Sequence, residues 1–353
     1  MTEPLIAAHL LDQLERRMSE LQPHNPSQTP VAGVPVAAGL RVEVLLAIYN
    51  NAPYLAVQLD SLLAQTFQDF HLVISDDCST DGSVAVVESY LGRFRHPVKL
   101  IRRQSQSGSA MANFASLMQQ STGDWVFLCD ADDVWHPDKL QKFLTFAATK
   151  HRHHPPDVPL FLYSDARVIG PDGGLTHASY WAFKRTDPAR CATLQRLLVC
   201  APMLGCASMM NRALVQQAAN VPVGQVTGHD WWAILVAASL GTVDFMPEAT
   251  IDYRVHPGNS SKPMQVSLRL IGRVGMKLSL ARHEVHRRML IRQKQAAPLL
   301  DQFGPNLPPD RRAIIRRFLD MSGQSPIARK LTMLRHGYTY PDYIRNSALV
   351  LFY

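Results

Sequence analysis

Between residues 42 and 150, short apolar runs alternate with stretches in which apolar residues return every three or four positions. VEVLLAI (42–48), FHLVIS (70–75), VKLIRR (98–103) and WVFLCD (125–130) predict four strands, the first and last of them buried. Residues 53–65 predict a helix with Leu55, Leu59, Leu62 and Leu63 on one face. A second helix opens at Ser79-Thr80-Asp81-Gly82, with Ser79 or Thr80 as its cap, and runs to about Leu91. A third covers 109–120, and a fourth starts at Pro137 and runs to about Thr149. This β-α-β-α order predicts an α/β fold, a parallel sheet with helices on both faces.

The rhythm changes after residue 150. A strand over 160–168 is followed by a hairpin-type turn at Pro171-Asp172-Gly173-Gly174. Further on come a helix at 193–200, a strand near 205–210, a helix at 229–240 and a strand at 242–254; residues 266–353 read as mostly helical. At the other end, Leu11, Leu14, Met18 and Leu21 give 1–22 an amphipathic helical pattern, and the Pro-rich, uncharged stretch 23–40 reads as a linker. The division expected is therefore 1–22, 23–40, a main domain over 41–260 and a helical extension over 261–353.

Composition fits that division. The chain has 353 residues, 46% hydrophobic and 18% charged, which suits a globular protein and excludes overall disorder. Its net charge of +7 is uneven: 261–353 hold 17 Lys/Arg against 5 Asp/Glu, a net of +12. Over 266–281, Arg269, Arg273 and Lys277 run beside Leu270, Val274 and Leu278. That basic amphipathic pattern fits an anionic membrane surface, or equally a helical cap or dimer surface whose Leu stripe is core. Nucleic acid is disfavoured, because no aromatics interleave with the basic residues.

Five cysteines without a C-x-x-C pair predict reduced thiols, not a disulfide framework or zinc site. His151-Arg152-His153-His154 reads as a solvated helix end before two prolines rather than a metal cluster. Glu3 and Asp12 interrupt any signal-like N-terminus, and the longest apolar run, near 231–240, is too short to span a bilayer. A cytoplasmic location is expected, either free or peripheral on the inner face of the plasma membrane.

Candidate chemistry sits where strands end, as ligands do in open parallel sheets. Tyr49-Asn50 follow the first strand, Asp76-Asp77 the second, and Asp130, Asp132 and Asp133 the fourth. An Asp after a strand is commonly a helix cap. Three such clusters on one edge suggest instead a pocket that reads a base and ribose and holds a diphosphate through a divalent cation, with hard oxygen ligands suited to Mg2+ or Mn2+.

LLAIYNNAPYLAVQLDSLLAQTFQDFHLVISDDCSTDGS and GSAMANFASLMQQSTGDWVFLCDADDVWHPDKL resemble the signatures of the large inverting glycosyltransferase family 2. The resemblance spans about 41–260 and implies the GT-A fold, in which a Rossmann-like nucleotide-sugar half adjoins an acceptor half. It implies that Asp77 contacts the nucleobase, that Tyr49 and Asn50 line the same pocket, that Asp130 meets the ribose and that Asp132 ligates the cation. For Asp133 it leaves three roles open: orienting Asp132, binding sugar hydroxyls, or capping the helix from Pro137. Cys78 stands where many relatives have Gly, and reads as structural.

In GHDWWAILVAAS the resemblance makes Asp230 the general base that takes a proton from the acceptor hydroxyl, although a carboxylate there also suits a helix N-terminus. Trp231 and Trp232 would either stack on an acceptor sugar or pack in the core. In IDYRVHPGNSS, Arg254 would bind phosphate, and His256 would be a metal ligand, a phosphate donor or a surface residue. The H-D-W-W and Y-R-x-H segments are most similar to rhamnosyltransferases, which points to a dTDP-sugar donor and a saccharide or lipid-linked acceptor. A UDP-hexose or UDP-N-acetylhexosamine donor, or a silent glycan-binding scaffold, are the alternatives.

Overall fold

The computed structural model describes residues 39–259 and 274–342, together with 345, 346, 349 and 353. The helix expected over 1–22, nearly all of the linker, and residues 260–273 of the basic stretch lie outside the described residues.

A mixed sheet of nine strands forms the body: β1 (Val42–Ile48), β2 (Phe70–Asp76), β3 (Lys99–Arg102), β4 (Trp125–Asp130), β5 (Val134–Trp135), β6 (Leu160–Ile169), β7 (Leu175–His177), β8 (Ser208–Asn211) and β9 (Thr242–Arg254). Their order is β3-β2-β1-β4-β8-β6-β9-β5, with β7 paired to β6. The first four strands are parallel, as the alternation predicts, and Ile48 lies opposite Asp76 while Ala47 lies opposite Asp130. That register brings the polar ends of β1, β2 and β4 to one edge.

The second half departs from a parallel sheet. β8 runs antiparallel to both β4 and β6, and β9 is parallel to β6. β5, which the sequence did not reveal, pairs antiparallel with the end of β9, placing Val134 opposite Asp252 and Trp135 opposite Ile251. Two residues are too short a run to show any period.

The larger helices are α1 (Ala52–Leu63), α2 (Ser83–Tyr90), α3 (Ala110–Gln120) and α4 (Lys139–Lys150). Short turns α5 (Tyr180–Lys184), α6 (Pro188–Cys191) and α7 (Leu194–Leu197) follow, then α8 (Arg212–Ala218), α9 (His229–Leu240), α10 (Val274–Phe303), α11 (Pro309–Asp320) and α12 (Pro326–His336). Two expected helix starts shift. Gly82, at φ +92°, is the N-cap of α2, while Ser79 Oγ instead accepts from the Asn50 N–H. Asp138 occupies the cap position of α4, so the helix begins two residues after Pro137.

Apolar side chains fill both faces of the sheet. Val42, Val44, Leu46 and Ile48 of β1 join α1 and α4 in one core, while Leu45 faces the other with α3, α8, α9 and α10. Trp232 belongs to that second core: it is 0% exposed, stacks on Phe303 and donates its indole N–H to the Ala218 carbonyl. The acceptor role considered for Trp232 is therefore corrected, because no ligand reaches it. The cysteines in the described residues are free thiols, with Cys191 and Cys200 side by side, Sγ to Sγ 3.3 Å.

The α9–β9 junction is tight. A Cβ on Gly241 would fall 2.0 Å from the Pro159 carbonyl oxygen, which already accepts from Thr242 N–H. Backbone cannot yield as a side-chain tip does, so Gly241→Ala is expected to cost about 1–3 kcal/mol. The denaturation midpoint should fall with an unchanged denaturant slope.

Candidate active site

The edge formed by the ends of β1, β2 and β3 is stitched together by side chains. Asn50 adopts φ +53° and its Oδ1 accepts from Thr80 N–H; Asp81 bonds Ala52 N–H, Ser83 N–H and Ser83 Oγ. Cys78 sits at φ +65°, a conformation glycine adopts without strain, which explains why a Gly suits that position.

Asp77 is buried and turned inward. Its Oδ1 accepts from Ser107 N–H (2.6 Å) and lies 3.2 Å from Arg103 Nε, and its Oδ2 accepts from Ser107 Oγ (2.8 Å). Tyr49 is 49% exposed, and its hydroxyl accepts from Gln106 (2.9 Å). Asp77 and Tyr49 thus share one wall with residues 103–107. Nothing in the sequence singles out these residues: Arg103 reads as the end of a predicted strand, and Gln106 and Ser107 as ordinary loop residues.

Each carboxylate that ends β4 meets a different fate. Asp132 Oδ2 contacts His256 Nε2 at 2.8 Å. Gly258 N–H donates to His256 Nδ1, which leaves Nε2 as the ring nitrogen that faces Asp132. The His256 ring also packs against Tyr54, centroids 4.7 Å apart.

Asp133 is 0% exposed. Its Oδ1 accepts from Arg254 N–H at 2.9 Å, and its buried Oδ2 has no hydrogen-bond partner. Burial, then the charges of Asp132 and Asp130, push its carboxyl well above the usual range. Asp138 holds the cap position of α4, so Asp133 does not cap that helix, and its side chain lies in the core against the Arg254 main chain.

Asp130 is half-buried. Burial first, then the neighbouring charges of Asp132 and Asp230, raise it to about 7. Below this group lies Lys139, fully buried, its Nζ bonded to the Cys206 carbonyl and 3.3 Å from the centre of the Trp135 ring. Burial pulls its amine down to about 8, against the opposing influence of Cys206, Cys129, Asp133 and Asp130. Asp130, Asp133 and Cys206 offer ligand atoms within 4.8 Å of one another. Lys139 already lies beside that inner group, whereas Asp132 and His256 face outward at 14% and 10% side-chain exposure. A hard dication therefore fits better at the outer pair, where the Asp132 carboxylate is open to solvent.

Arg254 corrects another expectation. It is 5% exposed, with Nε on the Asp132 carbonyl (2.7 Å) and Nη1 on the carbonyls of Gly170 and Pro171 (3.2 Å each). Its guanidinium clamps two loops rather than reaching for phosphate.

Asp230 lies in the first turn of α9. Its Oδ2 accepts from Gly205 N–H (3.2 Å) and its Oδ1 from Trp231 N–H (2.8 Å). A Cβ on Gly228 would stand 2.5 Å from Asp230 Oδ1, so glycine there leaves the carboxylate its room. Trp231 is half-buried and spends its indole N–H on the Leu197 carbonyl. The structure thus brings Asp130, Asp132, Asp230 and His256 to one site, with Tyr49, Asn50 and Asp77 along the same sheet edge.

Residues 43–154 match the family described as Glycosyl transferase family 2. Among known proteins, the chain is 32% identical over 117 residues to Bacillus subtilis EpsE, whose naming as a glycosyltransferase is itself provisional. That match covers 33% of this chain and 41% of EpsE. It is 30% identical over 224 residues to an uncharacterized glycosyltransferase of Nostoc sp., covering 63% of this chain and 66% of that protein. The chain therefore spans less than two thirds of either relative.

Two solved structures show the same GT-A fold. The mannosyltransferase PcManGT from Pyrobaculum calidifontis, in complex with GDP-Man and Mn2+, superposes with a TM-score of 0.52 at 17% identity, covering 98% of this chain and 87% of that one. S. aureus TarS 1–349, in complex with UDP-GlcNAc, gives 0.51 at 17% identity, covering 89% of each.

The raised Asp130 carboxyl has a measurable consequence. Native Asp130 holds a proton that the unfolded chain releases near pH 4. Its contribution to stability is complete below that pH and is lost as pH rises through about 7. In chelator, urea unfolding should show a decline on the order of 2–3 kcal/mol between pH 5 and pH 8, and Asp130→Asn should flatten it.

Proposed function

We propose that the chain transfers a sugar, with inversion, from a nucleoside-diphosphate donor to a hydroxyl of a saccharide or lipid-linked acceptor in surface polysaccharide synthesis. One observation carries this reading: Asp230, from the second half of the fold, lies close enough to Asp130, at the end of β4, for its charge to raise that carboxyl. A proton acceptor thereby faces the edge where a nucleotide diphosphate would lie.

The residues then divide the work. Asp230, aimed by Gly205 N–H and Trp231 N–H, accepts the proton of the attacking hydroxyl. Tyr49, Asn50 and the Asp77–Ser107 wall hold the nucleoside, and Asp130 meets the ribose. Asp132 and His256 would hold Mg2+ or Mn2+, which when bound supplies positive charge against the departing diphosphate. Trp231 borders the acceptor side. The H-D-W-W and Y-R-x-H segments extend the proposal to a dTDP-deoxysugar, rhamnose first.

Titration calorimetry with dTDP, UDP and GDP, with and without Mn2+, tests the donor half. The expected result is metal-enhanced binding with dTDP tightest, and a loss of the metal-dependent increment by tenfold or more in Asp132→Ala. An unchanged increment in that variant would remove Asp132 from the cation site. For the acceptor half, Asp230→Asn should keep nucleotide affinity while sugar transfer falls roughly 10²–10⁴-fold. Full transfer by a folded Asp230→Asn protein rules out the base.

A further inference from the structure

The two most exposed large apolar side chains among the described residues, Ile327 (75%) and Leu331 (63%), share α12 with Leu334 (55%). At about 100° per residue, positions 327, 331 and 334 fall within roughly 60° of one another, one stripe along the helix. This exposure is not slack packing, because the opposite face is pinned. Met333 is buried, and Arg329, also buried, donates to the carbonyls of Met321, Ser322, Gln324 and Tyr353 with its guanidinium over the Tyr353 ring. Ser325 caps the helix at one end and Gly337, at φ +76°, closes the other.

Cations border the stripe on both sides. On the helical projection Arg335 flanks it about 80° one way and Lys330 about 60° the other. Arg335 is exposed, and Arg317 of α11 lies near the same corner: after burial, Arg317 and Arg335 are what hold His336 below its usual range. No acidic residue lies within α12.

We propose that this face of α12 is a docking surface for an anionic lipid bilayer, with Ile327, Leu331 and Leu334 entering the headgroup–acyl boundary and the exposed Arg335 meeting lipid phosphates. An apolar stripe between basic borders is the pattern that lies in such an interface. A second copy of the chain is a poorer occupant, because a two-fold contact through the stripe would bring like cations together. The proposal is independent of the sugar-transfer reading.

The test uses the full chain and vesicles of phosphatidylcholine, with and without one quarter phosphatidylglycerol, in a flotation assay. Binding should require the anionic lipid and weaken as salt is raised. The triple variant Ile327→Ser/Leu331→Ser/Leu334→Ser should lose tenfold or more in partition coefficient, with circular dichroism and nucleotide affinity unchanged. Equal flotation of the variant overturns the proposal, as does absence of binding by the wild type. Sedimentation showing a wild-type dimer that the variant dissolves overturns it too, and assigns the stripe to self-association.

Discussion

Like charges gathered at the end of one strand are the constraint around which this molecule is built. Asp130, Asp132 and Asp133 fall within four positions at the sheet edge, where charges of one sign repel one another. The fold answers each separately. His256 meets Asp132, the main-chain N–H of Arg254 meets one oxygen of Asp133, and Asp130 keeps a proton to about pH 7. Two of these answers come from the end of β9 and the turn after it. The β5–β9 pairing and the Arg254 clamp are what bring that segment alongside.

Such an arrangement separates an inner from an outer layer. Lys139, beneath, is a permanent part of the core and holds the Cys206 carbonyl, which precedes β8. Asp132 and His256, above, remain reachable by solvent. The inner layer fixes geometry, while the outer one stays short of a full counter-charge and is the part suited to a ligand that arrives and departs. Asp230 joins from α9 through glycines at 205 and 228, whose missing side chains leave space for its carboxylate.

The first half of the sheet was legible because it is regular. Nearly continuous apolar runs such as 42–48, interrupted at Glu43, and 125–129 announce buried parallel strands, and strand ends in a parallel sheet are where ligands gather. The second half was less so. A two-residue strand such as β5 has no period, and the antiparallel insertion of β8 depends on tertiary pairing. Residue identity also says little about depth: Trp232 and Trp231 are neighbours in sequence, yet the helical turn sends one into the core and leaves the other half-buried. Arg254 has the chemistry of a phosphate ligand, but it is engaged by carbonyls of loops whose approach no local pattern encodes. Lys139, at the start of an amphipathic helix, resembles any solvated lysine until the fold closes over it.

The contact between His256 and Asp132 bridges 124 positions of chain. During synthesis at roughly 5–20 residues per second, about 6–25 seconds separate the appearance of these two residues, before any delay for clearing the ribosome. Throughout that interval a nascent chain with β1 to β4 assembled carries its acidic edge without the β9 segment that answers it. A chain truncated before residue 250 would therefore display an uncompensated anionic rim at that sheet edge.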